Sequence, residues 1–295
     1  SPGTRFEAKE PRGRRLMSRV RIVTDSAADL MPAIAQELEI TIVPSRVQVG
    51  DRIWVDGPEL RTPSFYRRVF AAASAPKILP PTGQQFMDAY AQLAPKSDTI
   101  LSIHTSGALD GAVQAARYAR GYLGRRYDVR VIDSQFASVA LGMLVTAAAK
   151  AAHEGAPATD VEKLLRGLIP HTYCAFYVDS PERLERAGVM VEGCVGRKWD
   201  AQQCPLLLLE DGNVTLLPRR KRKGTAVERL AEFAGEFVRL RHLTMVHTGV
   251  EGQPDALREL LKGILPKQAV EEQICGPSFG RLVGPAGMAL VAAEL

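Results

Sequence analysis

The chain has 295 residues, enough for one large or two medium domains whose core needs no disulfide staples. With 46% apolar and 24% charged residues it has the composition of a globular protein, and no run reaches the ~18 consecutive apolar residues of a membrane span. The net charge of +5 is uneven: residues 1–16 hold Arg5, Lys9, Arg12, Arg14 and Arg15 against Glu7 and Glu10, so +3 lies there and +2 in the rest. That tail has no interleaved aromatic residues and the remainder is nearly neutral, which argues against a nucleic-acid partner. Residues 1–16 are expected to be a disordered basic extension, with Met17 the natural start before the first strand-like run. Cys174, Cys194, Cys204 and Cys275 are scattered, with no C-x-x-C pair; they read as reduced thiols of a cytoplasmic protein and not as a metal site.

Residues 20–23 form an apolar strand followed by Thr24-Asp25-Ser26. A helix through Leu30, Ile34 and Leu38 comes next, with Ser26 and Asp29 spaced like a capping box. Residues 41–49 read as one strand, Asp56-Gly-Pro58 breaks the chain, and Pro63 opens a helix carrying Phe65, Val69 and Phe70. Prolines and a glycine exclude regular structure over residues 75–83, a loop that carries the apolar pair Ile78 and Leu79. Such a loop either lines a ligand mouth or simply connects two elements. A helix with Phe86, Tyr90 and Leu93 on one face follows.

Residues 100–103 are β-branched and apolar and read as a buried strand. His104, Thr105, Ser106 and Gly107 come at once, and Asp110 is a candidate N-cap of an Ala-rich helix ending near Leu123 and Gly124. A strand, a polar turn and a helix N-terminus make a cradle for an acidic or strongly polar headgroup, because free N–H groups and the helix dipole point at it. The same hydroxyls can equally serve only to cap the turn. Residues 129–132 form another strand, again followed by Asp133-Ser134. Two strands that end in Asp-Ser and feed helices indicate a parallel sheet, with ligands expected at the strand C-termini. Residues 140–153 are apolar nearly all round, as in a buried helix, and Gly155-Ala-Pro157 marks the domain boundary.

The second half changes character. Helices are expected at residues 161–168, 181–187, 227–240 and 255–264, and strands at 173–178 and 243–246. Residues 206–209 and 214–217 flank Asp211-Gly212, a hairpin signal. The run Arg219-Arg-Lys-Arg-Lys223 reads as a solvated face, with a docking surface or nucleic-acid patch as alternatives. Residues 276–290 are glycine-rich but lack both G-x-G-x-x-G and Walker spacing, so no nucleotide cofactor is implied. Mixed hairpin and helices indicate an α+β layer beside the first domain.

Four stretches together resemble the DegV family of bacterial fatty-acid-binding proteins. Val23-Thr-Asp-Ser-Ala-Ala-Asp-Leu30 is similar to that family's opening signature, and Ser106-Gly-Ala-Leu-Asp-Gly-Ala-Val-Gln-Ala-Ala116 to its S-S-x-L-S-G-T-Y-Q-S-A stretch. Val131-Ile-Asp-Ser-Gln-Phe-Ala-Ser-Val-Ala-Leu-Gly142 resembles V-I-D-S-x-x-A-S-x-G-L-G, and residues 276–287 the closing G-P-x-I-G-x-H-x-G-P-G. The resemblance implies an α/β fold of two α/β domains, an N-terminal parallel-sheet βα domain (residues 17–157) and a C-terminal α+β domain (158–295), with an apolar ligand tunnel between them. It further implies a non-catalytic monomer that binds a long-chain fatty acid and presents its carboxylate to a separate kinase, which makes the acyl phosphate in phospholipid metabolism. No metal and no cofactor is implied.

The chain departs from the family at the headgroup. The hydroxyl positions of the T-S-Q-P-S loop fall on Ile78 and Leu79, leaving only Thr82 polar; Ser106 is kept beside Gly107; a serine becomes Asp110, whose charge disfavours an anion; and the closing histidine falls on Leu282. The family's G-G-R-I reads Ala187-Gly-Val-Met190, without its arginine. The remaining headgroup candidates are therefore Thr82, Thr105, Ser106, Gly107, His104 and Arg281, with Ile78, Leu79 and Leu282 at family positions now apolar. His104 is as readily a satisfied structural histidine as a ligand. Two further classes stand beside the carrier: a regulatory or lipid-binding module uncoupled from a kinase, and a serine hydrolase using Ser106 with His104 and Asp133, against which there is no G-x-S-x-G elbow.

Overall fold

The computed structural model describes residues 19–72, 74–124, 127–192, 194, 205–217 and 224–294. The basic tail with Met17, the run 219–223 and Cys204 lie outside the described residues. Among the described residues the strands form three sheets. The first is parallel throughout, in the order β2 (Thr41–Val43), β1 (Val20–Asp25), β6 (Thr99–His104), β7 (Val129–Asp133). It is covered on both sides, which is why β6 is buried along its whole length. On one face α3 (Gly83–Leu93) and α4 (Ala112–Leu123) pack Phe86, Tyr90 and Ala116 on Val23, Ile100 and Val129. On the other, α5 (Ser138–His153) packs Leu141, Leu144 and Val145 with Ile22, Leu101 and Ile103.

The second sheet has the order β10 (Asn213–Leu216), β9 (Leu207–Glu210), β8 (Thr172–Tyr177), β13 (Met288–Glu294), β11 (Leu240–His247), β12 (Glu271–Ile274). Only β11 and β12 run parallel. Strand alternation sorts its side chains. Cys174, Phe176, Ala289 and Val291 face the α5 side, and Ala175, Tyr177, Leu290 and Ala292 face α8 (Ala226–Ala234) and α9 (Pro254–Ile264). The core on the α5 side runs without a break from Val20 to Val291, so the two halves meet through apolar packing. The fold class is that expected from the sequence.

The third sheet, β4 (Arg52–Val55), β3 (Arg46–Val49), β5 (Lys77–Leu79), is antiparallel and backed by α2 (Pro63–Ala71), with Val47, Phe65, Tyr66, Val69 and Ile78 as its core. A small sheet of this kind needs such a helix to be stable. It corrects two expectations. Residues 41–49 are two strands in different sheets, because Pro44 and Ser45 divert the chain between them. Residues 75–83 are not all loop: Lys77–Leu79 pair with β3 as an edge strand, where flanking prolines are tolerated.

Three other boundaries differ. Residues 26–29 make no capping box; Asp25 caps the short turn Ser26–Ala28, Asp29 turns left-handed at φ 51°, and α1 is only Pro32–Glu37. The helix expected over 227–240 stops at Ala234, before Gly235, and Leu240 already opens β11. The glycine-rich stretch contains α10 (Pro277–Val283), stopped by Gly284 at φ 79°, and then the central strand β13. Gly280 is required there, since a Cβ would lie 2.2 Å from the Tyr66 hydroxyl on α2.

Candidate functional site

The strand order of the parallel sheet reverses between β1 and β6, so the chain leaves these two strands in opposite directions and a crevice opens at their C-terminal ends. Asp25 and His104 end the two strands. The register pairs Val23 with Ser102, which places His104 beside Asp25 two residues on, and period-two alternation puts Ser102 and His104 on one face. His104 Nδ1 lies 3.0 Å from Asp25 Oδ2, and His104 Nε2 lies 2.6 Å from Ser102 Oγ, itself 2.7 Å from the Tyr90 hydroxyl. The Thr105 amide (3.0 Å) and hydroxyl (2.8 Å) and the Ala27 amide (3.0 Å) donate to the same carboxylate. Burial opposes the charge on Asp25, but the His104 bond and charge together with the Thr105 donors outweigh it and hold its pKa below the usual value. His104 is 0% exposed, edge-on to Phe86 at 4.8 Å.

This chain has the connectivity of a Ser-His-Asp triad, but Ser102 lies in mid-strand between β1 and β7, fully buried. The trio expected for a hydrolase does not assemble: Ser106 Oγ donates to the Gly212 carbonyl at 2.6 Å, and Asp133 accepts from the amides of Gly107 (3.2 Å) and Gln135 (2.9 Å). Asp25 and Ser102 were not singled out from the sequence as site residues. The available signal was the i, i+2 spacing of Ser102 and His104 on a strand whose neighbour ends in an aspartate.

The turn 106–111 follows at the end of the crevice, with Ser106 buried and Ala108 exposed. The Ser106 amide donates to the Phe136 carbonyl at 2.8 Å, and its hydroxyl reaches across to Gly212, whose φ of 80° follows Asp211 at 48° in the β9–β10 hairpin. Asp110 lies just before helix α4, with Gly111 at the N-cap, and its Oδ1 accepts the Ala112 amide at 2.9 Å. From α10, Arg281 Nη2 donates to the Leu109 carbonyl at 3.2 Å and Nη1 to the Ala187 carbonyl at 2.6 Å, while its buried Nε has no acceptor. Arg281 is 9% exposed, and burial lowers its pKa while the charge of Asp110 raises it. Arg281 lines a cavity of about 350 Å³ between the halves, with Val69 and Phe70 of α2 on one side and Arg183, Arg186 and Ala187, in and just after α7 (Pro181–Arg186), on the other. Arg183 pairs with Asp179 at 2.7 Å and lies over the Phe70 ring at 5.0 Å.

Of the expected headgroup residues, Arg281 reaches the 106–111 turn at the Leu109 carbonyl, whereas Ser106 is engaged by the Gly212 carbonyl and Gly107 by Asp133. The structure engages His104 and Thr105 with Asp25, and uses Thr82 as the capping residue of α3, reciprocally with Gln85. Ile78 and Leu282 sit in apolar cores, Leu282 at 0% exposure, and Leu79 is half-buried. A second polar cluster joins the halves: Asp29 accepts from Ser138 Oγ and the Gly276 amide (2.8 Å) and lies 3.5 Å from Arg61 Nε. Asp56, bonded through Oδ2 to Ser26 Oγ at 2.8 Å, has its pKa pushed up to about 7 by burial and the charge of Asp29. Among the described residues no group of three or more His, Cys, Asp or Glu is placed to hold a metal. Cys174, Cys194 and Cys275 are buried and outside any disulfide, and no described helix is long and apolar enough to cross a membrane.

Residues 19–295 match the model of the DegV family, described as an uncharacterised protein of that family. A DegV domain-containing protein of Deinococcus radiodurans is 30% identical over 225 residues, 74% of this chain and 77% of the relative. A solved DegV family protein from Thermus thermophilus, described by its fatty acid binding, is 26% identical with a TM-score of 0.80, over 94% of this chain and 100% of the other. A Thermotoga maritima structure described as revealing fatty acid binding function is 25% identical with a TM-score of 0.74, over 94% and 100% of the two chains.

Proposed function

Since the chain belongs to the DegV family, we propose that it binds a long-chain fatty acid in the cleft between its halves, with the headgroup at Arg281 and the 106–111 turn. The observation that carries this is Arg281: a buried arginine lining the cavity, its guanidinium bonded only to neutral carbonyls and with Nε unpartnered. A buried charge in this state costs several kcal/mol, which an acceptor on a ligand offsets. The cavity volume falls in the range of small-molecule sites, ~300–1,000 Å³. An acyl chain supplies the apolar term, ~0.8 kcal/mol per buried CH₂. The two solved relatives are described as fatty-acid binders and not as enzymes, and the residues of a hydrolase do not meet here.

The finer reading is a monomeric cytoplasmic carrier that presents the carboxylate to a separate kinase. The apolar Ile78 and Leu282 favour a second reading, in which the carrier no longer couples to a kinase, because the positions matched to the family's hydroxyl and imidazole are packed into apolar cores. Mass spectrometry of an organic extract of the purified protein, made without added lipid, tests both. A stoichiometric fatty acid supports the carrier, and co-purification of a kinase then separates the two readings. An empty protein that also takes up no added fatty acid refutes them.

A further inference from the structure

The cavity between α2 and α7 is lined by three arginines, Arg183, Arg186 and Arg281, against one acidic side chain, Glu182, which accepts the Ser180 hydroxyl. Each arginine keeps a donor to spare. Arg281, nine-tenths buried, spends Nη1 and Nη2 on the Ala187 and Leu109 carbonyls, and its Nε has no acceptor. Arg183 gives Nε and Nη2 to Asp179, at 2.7 and 3.1 Å, and its Nη1 has no partner among the described residues. Its guanidinium is closely held: it lies over the Phe70 ring, and a Cβ on Gly284, three residues beyond Arg281 in the chain, would come within 2.4 Å of its Nε. Arg186, exposed and three residues on from Arg183 along α7, has no partner among the described residues. Arg183 and Arg186 repel each other across that turn, and Arg281 adds a third charge from α10.

Resting on the carrier reading, we propose that this cavity takes a phosphate monoester headgroup, and holds it more tightly than the carboxylate of a free fatty acid. A carboxylate carries one charge and two oxygens in a single plane, which engages part of this donor set and leaves the remaining arginine charge uncompensated. A phosphate monoester carries up to two charges on three terminal oxygens in a tetrahedral spread, so it can accept from donors that arrive from α7 and from α10 together. Arginine suits this task because its charge is permanent and its planar fork matches phosphate oxygens. Val69, Phe70 and Ala72 give the same cavity an apolar wall for the part of the ligand behind the headgroup.

The experiment uses the full chain, stripped of lipid, titrated calorimetrically at about pH 8, where a phosphate monoester is a dianion. The ligands are palmitate, monopalmitoylglycerol, monopalmitoylglycerol phosphate and glycerol phosphate. The lipid phosphate is expected to bind at least about tenfold more tightly than palmitate, the worth of one further charge-assisted hydrogen bond, and more tightly than monopalmitoylglycerol, which shares its chain and glycerol. Arg186→Gln, at an exposed position, is expected to cut that advantage about tenfold. Glycerol phosphate separates the sources: if it binds and no lipid does, the phosphate site stands with a soluble ligand and the carrier reading falls. Palmitate binding as tightly as the lipid phosphate overturns the proposal and leaves the carrier reading intact, with or without a folded variant. A preference for the lipid phosphate that survives undiminished in Arg186→Gln also overturns it, since the set of three arginines does not then create the preference. Binding of none of the four ligands overturns both.

Discussion

Asp56 offers a direct measure of how the polar core carries charge. It is buried, its Oδ1 has no hydrogen-bond partner, and the charge of Asp29 lies against it, so its pKa rises from 3.8 to about 7. The folded state therefore holds this proton more tightly than the unfolded chain. Protonated Asp56 imposes no penalty below about pH 4; stability falls as pH rises from the unfolded value toward the folded one, and the loss is complete above pH 7. A shift of about three units corresponds to roughly 4 kcal/mol at most, since each unit is worth about 1.4 kcal/mol. Asp56→Asn removes the charge and keeps an oxygen for Ser26 Oγ, but buries an amide whose second group lacks a partner, at a cost of about 1–2 kcal/mol. The variant is expected to be more stable than the parent by about 2 kcal/mol at pH 8, and equal to it or less stable by up to about 1 kcal/mol at pH 4.5, where the parent has already lost about 1 kcal/mol. Urea denaturation followed by circular dichroism at the two pH values checks this. A variant destabilised equally at both would refute the reasoning, because Asp56 would then contribute through packing alone.

His104→Ala leaves Asp25 without its buried partner and opens a void beside Phe86, so a loss of about 3–5 kcal/mol in the denaturation midpoint analysis is expected, while lipid bound per folded molecule stays at the parental level. Gly280→Ala drives a Cβ to within 2.2 Å of the Tyr66 hydroxyl and should cost about 1–3 kcal/mol, measured as a lowered thermal midpoint; a neutral result would mean that α10 moves freely over α2. Arg281→Gln should weaken retention of co-purified lipid by about tenfold, the loss of one charge-assisted hydrogen bond, with the far-ultraviolet spectrum unchanged.

The local order of this protein is written in its sequence. Apolar runs at residues 20–23, 100–103 and 129–132, each followed by small polar residues, specify strands and turns through contacts a few residues apart, and the α/β class and the turn at Ser106 follow from them. The Asp211-Gly212 hairpin is legible for the same reason: only a left-handed pair closes it. What the tertiary structure alone decided is which polar groups meet. His104 is 79 residues from the Asp25 that engages it, and Arg281 is 172 residues from the Leu109 carbonyl that it reaches. Strand Lys77–Leu79 exists because β3 offers it a partner, not because its own residues demand one. Periodicity reports which face of an element is buried, but not whose side chain is waiting there, and in this chain that pairing separates the buried histidine bonded to Asp25 from the arginine at the cavity.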